Sequence, residues 1–462
     1  MDIRIKSREL IAGHLLLLLI AGSPGRTQSP VHIFGLEESI QVGLTNATEI
    51  LKGQNTVEQS GAQLLYAYGQ YLPNLAFAGS YNYSGGNTLL TIAPVMATFD
   101  RSAYYYQLTS NVNIYSGQYN MANLKASVLN KKSAELTLKW ARQQVALDII
   151  QSFLQVMLDK QLLRIQEENL GFSVKREEQI TALTQVGRLT MVDLYQQQAQ
   201  TSQDQAALSN AKNKLRTDKI LFLNKLRLNA KDSLDTYDFA ELPLDDQAQA
   251  EKYDNEQFLV TQALNNRLDL RAYKLNVEAA GWNIKKYQSG YLPKISFELG
   301  AFNNGLYYDY LYYEGKEQLP ASQNNIAFQL SHQIYGLGGI NLSWNIFDNN
   351  FTKSNVINAK ALLSDAQIDY RDQQLQIITD TRQAFGDYKN DLQLIQTADK
   401  GVVAAGKAFE AMQGRYTQGS ASFIDVVTTQ INLLTAKQSQ IESIISLMLE
   451  KKTLDYLIGS NY

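Results

Sequence analysis

The sequence predicts a mainly α-helical molecule made of two similar halves, with a transmembrane β-barrel portion to which each half gives two strands. Three observations predict it. The chain repeats itself over half its length, two long proline-free stretches carry helical periodicity, and paired segments of alternating polarity precede those stretches.

The duplication is read residue by residue. Asn113-Ile114-Tyr115 recurs as Asn345-Ile346-Phe347, Asn123 as Asn355, Asp148 as Asp380, Phe153 as Phe385, Gly187 as Gly419 and Asp193 as Asp425, each 232 positions on. Upstream the offset is 220: Leu44 with Leu264, Val57-Glu58 with Val277-Glu278, and Tyr71-Leu72-Pro73 with Tyr291-Leu292-Pro293. The second half therefore holds 12 extra residues between its two matched blocks. A repeat this long is a duplicated half-molecule, because solenoid units run to only about 20–50 residues.

Composition removes several classes of function. The chain has 462 residues, a net charge of −3, no cysteine and three histidines, His14, His32 and His332. Disulfides, thiolate metal sites and cysteine nucleophiles are excluded, no histidine-based catalytic or metal centre is expected, and nothing points to nucleic acid. The start reads as a secretory signal over residues 1–28: basic Arg4, Lys6 and Arg8, then a short apolar run from Leu15 to Ala21. No other segment is apolar enough to cross a bilayer as a helix, so a membrane-embedded form of this chain must use strands.

No proline falls between 95 and 242 or after 320. Long helices are expected from about Tyr119 to Gln185 and from about Thr352 to Gln418, roughly 65 residues or about 100 Å each. Two adjacent apolar rows, Val145/Ile149/Phe153/Val156 and Leu147/Ile150/Leu154/Met157, predict a packing neighbour on each side. Each helix ends at a glycine, Gly187 or Gly419, suited to the left-handed turn that stops a helix. Thr190…Asp193 and Ser422…Asp425 then match the capping-box pattern that starts the next one. Each half thus contains a tight antiparallel helical hairpin.

The expected strands are Leu75–Tyr83, Tyr105–Tyr115, Ile295–Phe302 and Ile340–Phe347. The stretches 84–104 and 303–339 between them read as long loops, the second rich in tyrosine (Tyr307, Tyr308, Tyr310, Tyr312 and Tyr313), with Gly85, Gly86, Gly336, Gly338 and Gly339 as loop glycines. An ordinary soluble hairpin is the competing interpretation. Residues 231–255, acidic around Pro243, read as a solvated linker with a little structure and no ligand. They separate a first repeat over 29–230 from a second over 256–462.

Four strands cannot close a barrel, and an open sheet edge in hydrocarbon leaves backbone groups unpaired at several kcal/mol each. Two, three or four copies of the chain would pool 8, 12 or 16 strands, and the smallest of these leaves no useful lumen.

The duplication, the Tyr-Leu-Pro before each first strand and the Gly-x5-Asp tips (Gly187…Asp193, Gly419…Asp425) resemble the TolC family of trimeric outer-membrane efflux proteins. The resemblance covers residues 36 to 462. It implies a homotrimer with a 12-stranded barrel in the outer membrane of a Gram-negative bacterium and an α-barrel tunnel across the periplasm. The tips would meet a periplasmic adaptor and, through it, an inner-membrane pump of the resistance-nodulation or ABC type. It implies a pore gate at Asp425, Tyr416, Thr428 and Asp193, and adaptor contacts at Gly187, Arg188, Leu189, Gly419, Ser420 and Ala421. The family's second acidic position is Thr428 here, and its tip arginine is Ala421, with Arg188 or Arg415 as substitutes. No catalytic residue, cofactor or metal is expected. Trp140 and Phe153 are expected to pack, and His332 to lie in an exposed loop. Two other classes compete: a periplasmic coiled-coil adaptor, for which no split lipoyl-like β-domain is found, and a secreted enzyme.

Overall fold

The computed structural model describes residues 32–89, 95–228, 237–241, 253–317 and 325–460; the signal segment lies outside them. In chain order the elements are β1 (His32–Phe34), α1 (Leu36–Asn46), α2 (Thr48–Gly69), β2 (Ala76–Leu89), β3 (Met96–Tyr115), α3 (Tyr119–Gln185) and α4 (Met191–Lys225), followed by β4 (Tyr237–Phe239). The second half holds α5 (Glu256–Asn266), α6 (Leu268–Gln288), β5 (Lys294–Tyr313), β6 (Lys316–Glu317), α7 (Ile326–His332), β7 (Ile334–Ser343), α8 (Phe351–Thr417) and α9 (Phe423–Leu457). The duplication survives to the residue. Helices α3 and α8 each have 67 residues and α4 and α9 each have 35, and both pairs begin and end 232 positions apart.

Both apolar rows of α3 are buried. Val145, Ile149, Phe153 and Val156 join Phe222 and Leu223 of α4 in the largest core. Ile150 and Leu154 of the second row meet Ile445 of α9, which binds the first hairpin to the second. Phe153 is fully buried, and Trp140 stacks on Tyr456 at 4.4 Å with the Arg267 guanidinium 4.5 Å from its ring centre. Among the described residues no helix is long and apolar enough to cross a membrane.

The long strands form one curled antiparallel sheet in the order β2-β3-β5-β7, with β2 and β7 at its open edges. Register assigns the side chains to two faces, because directly paired residues point the same way. One face carries Phe77, Tyr81, Leu108, Val112, Phe297, Leu299, Ala301, Ile340 and Leu342; the other carries Ser80, Asn82, Gln107, Thr109, Asn111, Ser296, Glu298 and Asn341. The second face also carries Phe302, Tyr335 and Leu337, so the alternation expected of a barrel wall holds over most of the sheet and is broken on that face by one aromatic and aliphatic cluster.

Three expectations need correction. The strands extend well into the stretches read as loops, since β2 runs to Leu89, β3 begins at Met96 and β5 reaches Tyr313. Tyrosine and glycine looked like loop composition, but in this sheet they pair across strands, as Tyr106 does with Gly79 and Tyr104 with Gly305. All five glycines assigned to loops lie within β2 or β7, and β7 spans Ile334–Ser343, leaving Trp344, Ile346 and Phe347 beyond it. His332 is exposed but ends a helix, stacked on Phe328 at 4.2 Å. Finally, the described part of the acidic linker is packed. β4 pairs in parallel with β1, and Phe239 enters the main core beside Phe34, Phe153 and Phe222. Asp238, which lies 3.3 Å from Lys160 and 3.4 Å from Lys219, is held below the usual carboxylate range, its own burial being outweighed by the Phe239 amide and these lysines.

Candidate functional site at the hairpin tips

The two hairpin tips have the same construction. After α3, Gly187 takes φ 75°, its amide donates to Thr184 O at 3.0 Å and the Arg188 amide donates to Leu183 O at 2.9 Å. After α8, Gly419 takes φ 76°, its amide donates to Tyr416 O at 2.9 Å and the Ser420 amide donates to Arg415 O at 2.9 Å. This two-bond ending satisfies carbonyls that the helix leaves free and places a left-handed residue after the cap, which glycine adopts without a Cβ penalty.

Each chain then restarts as predicted. The Thr190 amide and hydroxyl donate to the Asp193 carboxylate at 3.0 and 2.7 Å, and the Asp193 amide donates back to the Thr190 hydroxyl at 3.2 Å. Ser422 and Asp425 repeat these three bonds at the same distances. Both aspartates are therefore capping-box acids in addition to any other role. The Asp425 carboxyl is held below its ordinary range by the Ser422 hydroxyl and amide, with Arg415 adding to the effect.

The tips touch one another through a small apolar core in which Ile180, Leu194 and Phe423 are buried, with Leu189, Tyr416 and Val427 packed against them. Leu189 thus supports the junction, whereas Arg188, Gly419 and Ser420 are exposed and Ala421 is half-buried. Thr428 is exposed, and its hydroxyl donates to Ile424 O at 2.8 Å within its own helix. Arg415 donates to Ser420 O at 3.2 Å and so braces its own turn.

One residue of this junction was missed from sequence. Arg176 of α3 is buried, with its guanidinium 4.8 Å from the centre of the Tyr416 ring and 5.9 Å from that of Phe423. Burial lowers the Arg176 pKa and raises that of Tyr416, and the attraction between the two groups opposes both changes. Arg176 Nε and the Tyr416 hydroxyl make no hydrogen bond of ordinary geometry among the described residues; the guanidinium faces the ring, and the hydroxyl lies near enough to act on it. The available signal was position: Arg176 stands four residues before Ile180, on the row that faces inward.

Comparison with known proteins agrees with this architecture. A family described as outer membrane efflux protein matches residues 259–460. The outer membrane protein TolC of Salmonella enteritidis is 22% identical over 212 residues, which cover 44% of this chain and 39% of that relative. The chain thus matches well under half of that relative's length. Among solved structures, the Campylobacter jejuni CmeC outer membrane channel superposes with a TM-score of 0.80 at 15% identity, over 92% of this chain and 86% of that one. VceC, an outer membrane protein of Vibrio cholerae, superposes at 0.75 and 15% identity, over 92% and 96%. At these identities the superpositions establish the fold.

Proposed function

We propose that the chain is a member of the outer membrane efflux protein family, whose pattern its second half matches, and that three copies form a passive exit duct through the outer membrane and across the periplasm. The observation that carries the reading is the continuity of the sheet with the helices. A four-stranded sheet with one largely apolar face, one more polar face and two open edges leads into two 67-residue helices, each about 100 Å long at 1.5 Å per residue. Three copies would pool twelve strands and remove every edge from hydrocarbon. The exposed apolar side chains of α8 (Phe351, Ile357, Leu362, Leu375) and of α2 (Leu65, Tyr66) are the surface that neighbouring copies would cover.

In this duct the segments 29–230 and 256–462 act as two repeats, and the tips form the periplasmic end. Asp425, Tyr416, Thr428 and Asp193 make up the gate, with Arg176 added to the set. Gly187, Arg188, Gly419, Ser420 and Ala421 present the outer surface to an adaptor protein that links the duct to an inner-membrane pump. The family's role is conduction, and no step of chemistry is assigned to the chain. A soluble adaptor is not favoured, because it has no use for an apolar sheet face of this extent.

Sizing of the detergent-extracted protein, followed by planar-bilayer recording, tests the reading. A trimer with discrete conductance steps is expected, and a water-soluble monomer without conductance would overturn it.

A further inference from the structure

Helix α7 has no counterpart among the described residues of the first half. It lies in the stretch where the second half is 12 residues longer, between the matched blocks that end at Pro293 and resume at Asn345. Strand β7 pairs with β5 only as far as Ile334 opposite Asn303, although β5 continues to Tyr313. Above that point a side chain completes the edge. Gln329 Nε2 donates to Leu306 O and Gln329 Oε1 accepts from the Leu306 amide, both at 2.8 Å. These are the two bonds that a residue of an opposing strand would make.

The groups that hold α7 come from the apolar face of the sheet. Asn303 is fully buried and donates from Nδ2 to the carbonyls of Gln329 and Leu330 at 3.2 and 3.1 Å. The Tyr106 hydroxyl donates to Leu330 O at 3.0 Å, and the Tyr104 hydroxyl donates to Gln329 Oε1 at 3.2 Å. By register Tyr104, Tyr106 and Asn303 share their face with Leu108, Leu299 and Ala301. The helix therefore lies on the outside of the wall, at the upper end of its apolar band, and covers the polar Asn303.

Its own sequence, Ile-Ala-Phe-Gln-Leu-Ser-His, contains no Asp, Glu, Lys or Arg. Gln329 is its one buried residue, while Ile326, Phe328 and Leu330 are 40%, 51% and 37% exposed. We propose that α7 is a membrane-interface anchor, with Phe328 and Leu330 seated among lipid acyl chains at the outer rim of the barrel. Continuity with the apolar band selects lipid as the occupant, and an uncharged apolar helix lying flat at that level fits the boundary between headgroups and acyl chains. The proposal rests on the reading of this sheet face as lipid-facing.

The absence of cysteine allows a background-free test. A nitroxide label is placed at Phe328→Cys, with Leu330→Cys as a second position should the first fail to assemble. The trimer is reconstituted in phosphatidylethanolamine–phosphatidylglycerol vesicles. Collision of the label with oxygen and with a water-soluble nickel chelate is measured by electron paramagnetic resonance, beside a Leu299→Cys reference in the middle of the band. The expected result is that oxygen reaches the α7 label more readily than nickel does. A nickel-accessible α7 label beside an oil-embedded Leu299 label overturns the anchor and leaves the duct intact. A label shielded from both reagents means that a neighbouring copy covers α7, which also overturns the anchor. A nickel-accessible Leu299 label removes the membrane reading itself.

Discussion

The guanidinium of Arg176 lies 4.8 Å from the centre of the Tyr416 ring, so a buried cation on the first hairpin is seated under an aromatic ring on the second. A contact of this kind contributes on the order of 0.5–2 kcal/mol. If it holds the tips together, Arg176→Gln should raise the resting conductance of single channels in planar bilayers, and Tyr416→Phe should leave it unchanged because the ring remains. Equal effects of the two substitutions would assign the contact to the hydroxyl instead.

Asp425 carries an N-cap bond and a charge, and two substitutions separate them. Ser422→Ala removes the hydroxyl that bonds the carboxylate and should lower stability by about 1 kcal/mol in thermal melts without changing ion selectivity. Asp425→Asn should weaken block by divalent cations in conductance recordings. Unaltered block would leave the capping box as the sole role of Asp425.

Gly419 is required by its backbone angle and not by space, since an added Cβ would meet nothing within 4 Å. Gly419→Ala should therefore cost roughly 1–2 kcal/mol, and Gly419→Asn less, because asparagine tolerates the left-handed region. Gly419→Trp would project a large ring from the tip; export is expected to fail while the trimer persists on native gels.

Carboxylates wholly or partly buried midway along the helical hairpins make stability depend on pH. Asp159 and Asp218 in the first hairpin recur as Asp391 and Glu450 in the second, each 232 positions on. Lys214 lies 2.8 Å from Asp159, which burial and Asp218 still push up to about 6, but its counterpart Ser446 can only donate a hydrogen bond to Asp391, at 2.6 Å. Burial, together with Asp387 and Asp391, pushes Glu450 up to about 7, from 4.5 in an unfolded chain. The folded form thus binds more protons across that window, and stability falls as pH rises from about 4.5 to 7. Glu450→Gln should melt like the parent near the lower limit and at a higher temperature above pH of about 7.5, where the parent must hold the charge.

Phe239 tests whether the acidic segment between the repeats belongs to the core. Its side chain is 1% exposed against Phe153 and Phe222. Phe239→Ala should cost about 3–5 kcal/mol, read as a lower melting temperature, whereas a free linker would tolerate the change.

What could be read from sequence was local or repeated. The tips were legible because a glycine stop and a Thr-x-x-Asp or Ser-x-x-Asp restart are satisfied within a few residues of themselves. The helices were legible because Val145 to Met157 spell out two faces, and both faces found partners. The ends of the strands were not, since Tyr104, Gly305 and Gly336 acquire meaning only from the residues opposite them. Phe239 was hidden for the same reason: its neighbours Phe34, Phe153 and Phe222 are far away along the chain. Arg176 was overlooked because a charge on an inward row has a use only when an aromatic ring from another hairpin reaches it.

The two open borders of the sheet belong to different strands, β2 on one side and β7 on the other. Because antiparallel pairing of like borders about a twofold axis would send the helices of the two copies in opposite directions, copies that keep their helices on the same side must join head to tail, each offering its leading border to the trailing border of the next. A contact of that sort either closes on itself or grows without end. The curl of the sheet then sets how many copies complete the circle, and a substitution that flattens it would yield ribbons in place of rings.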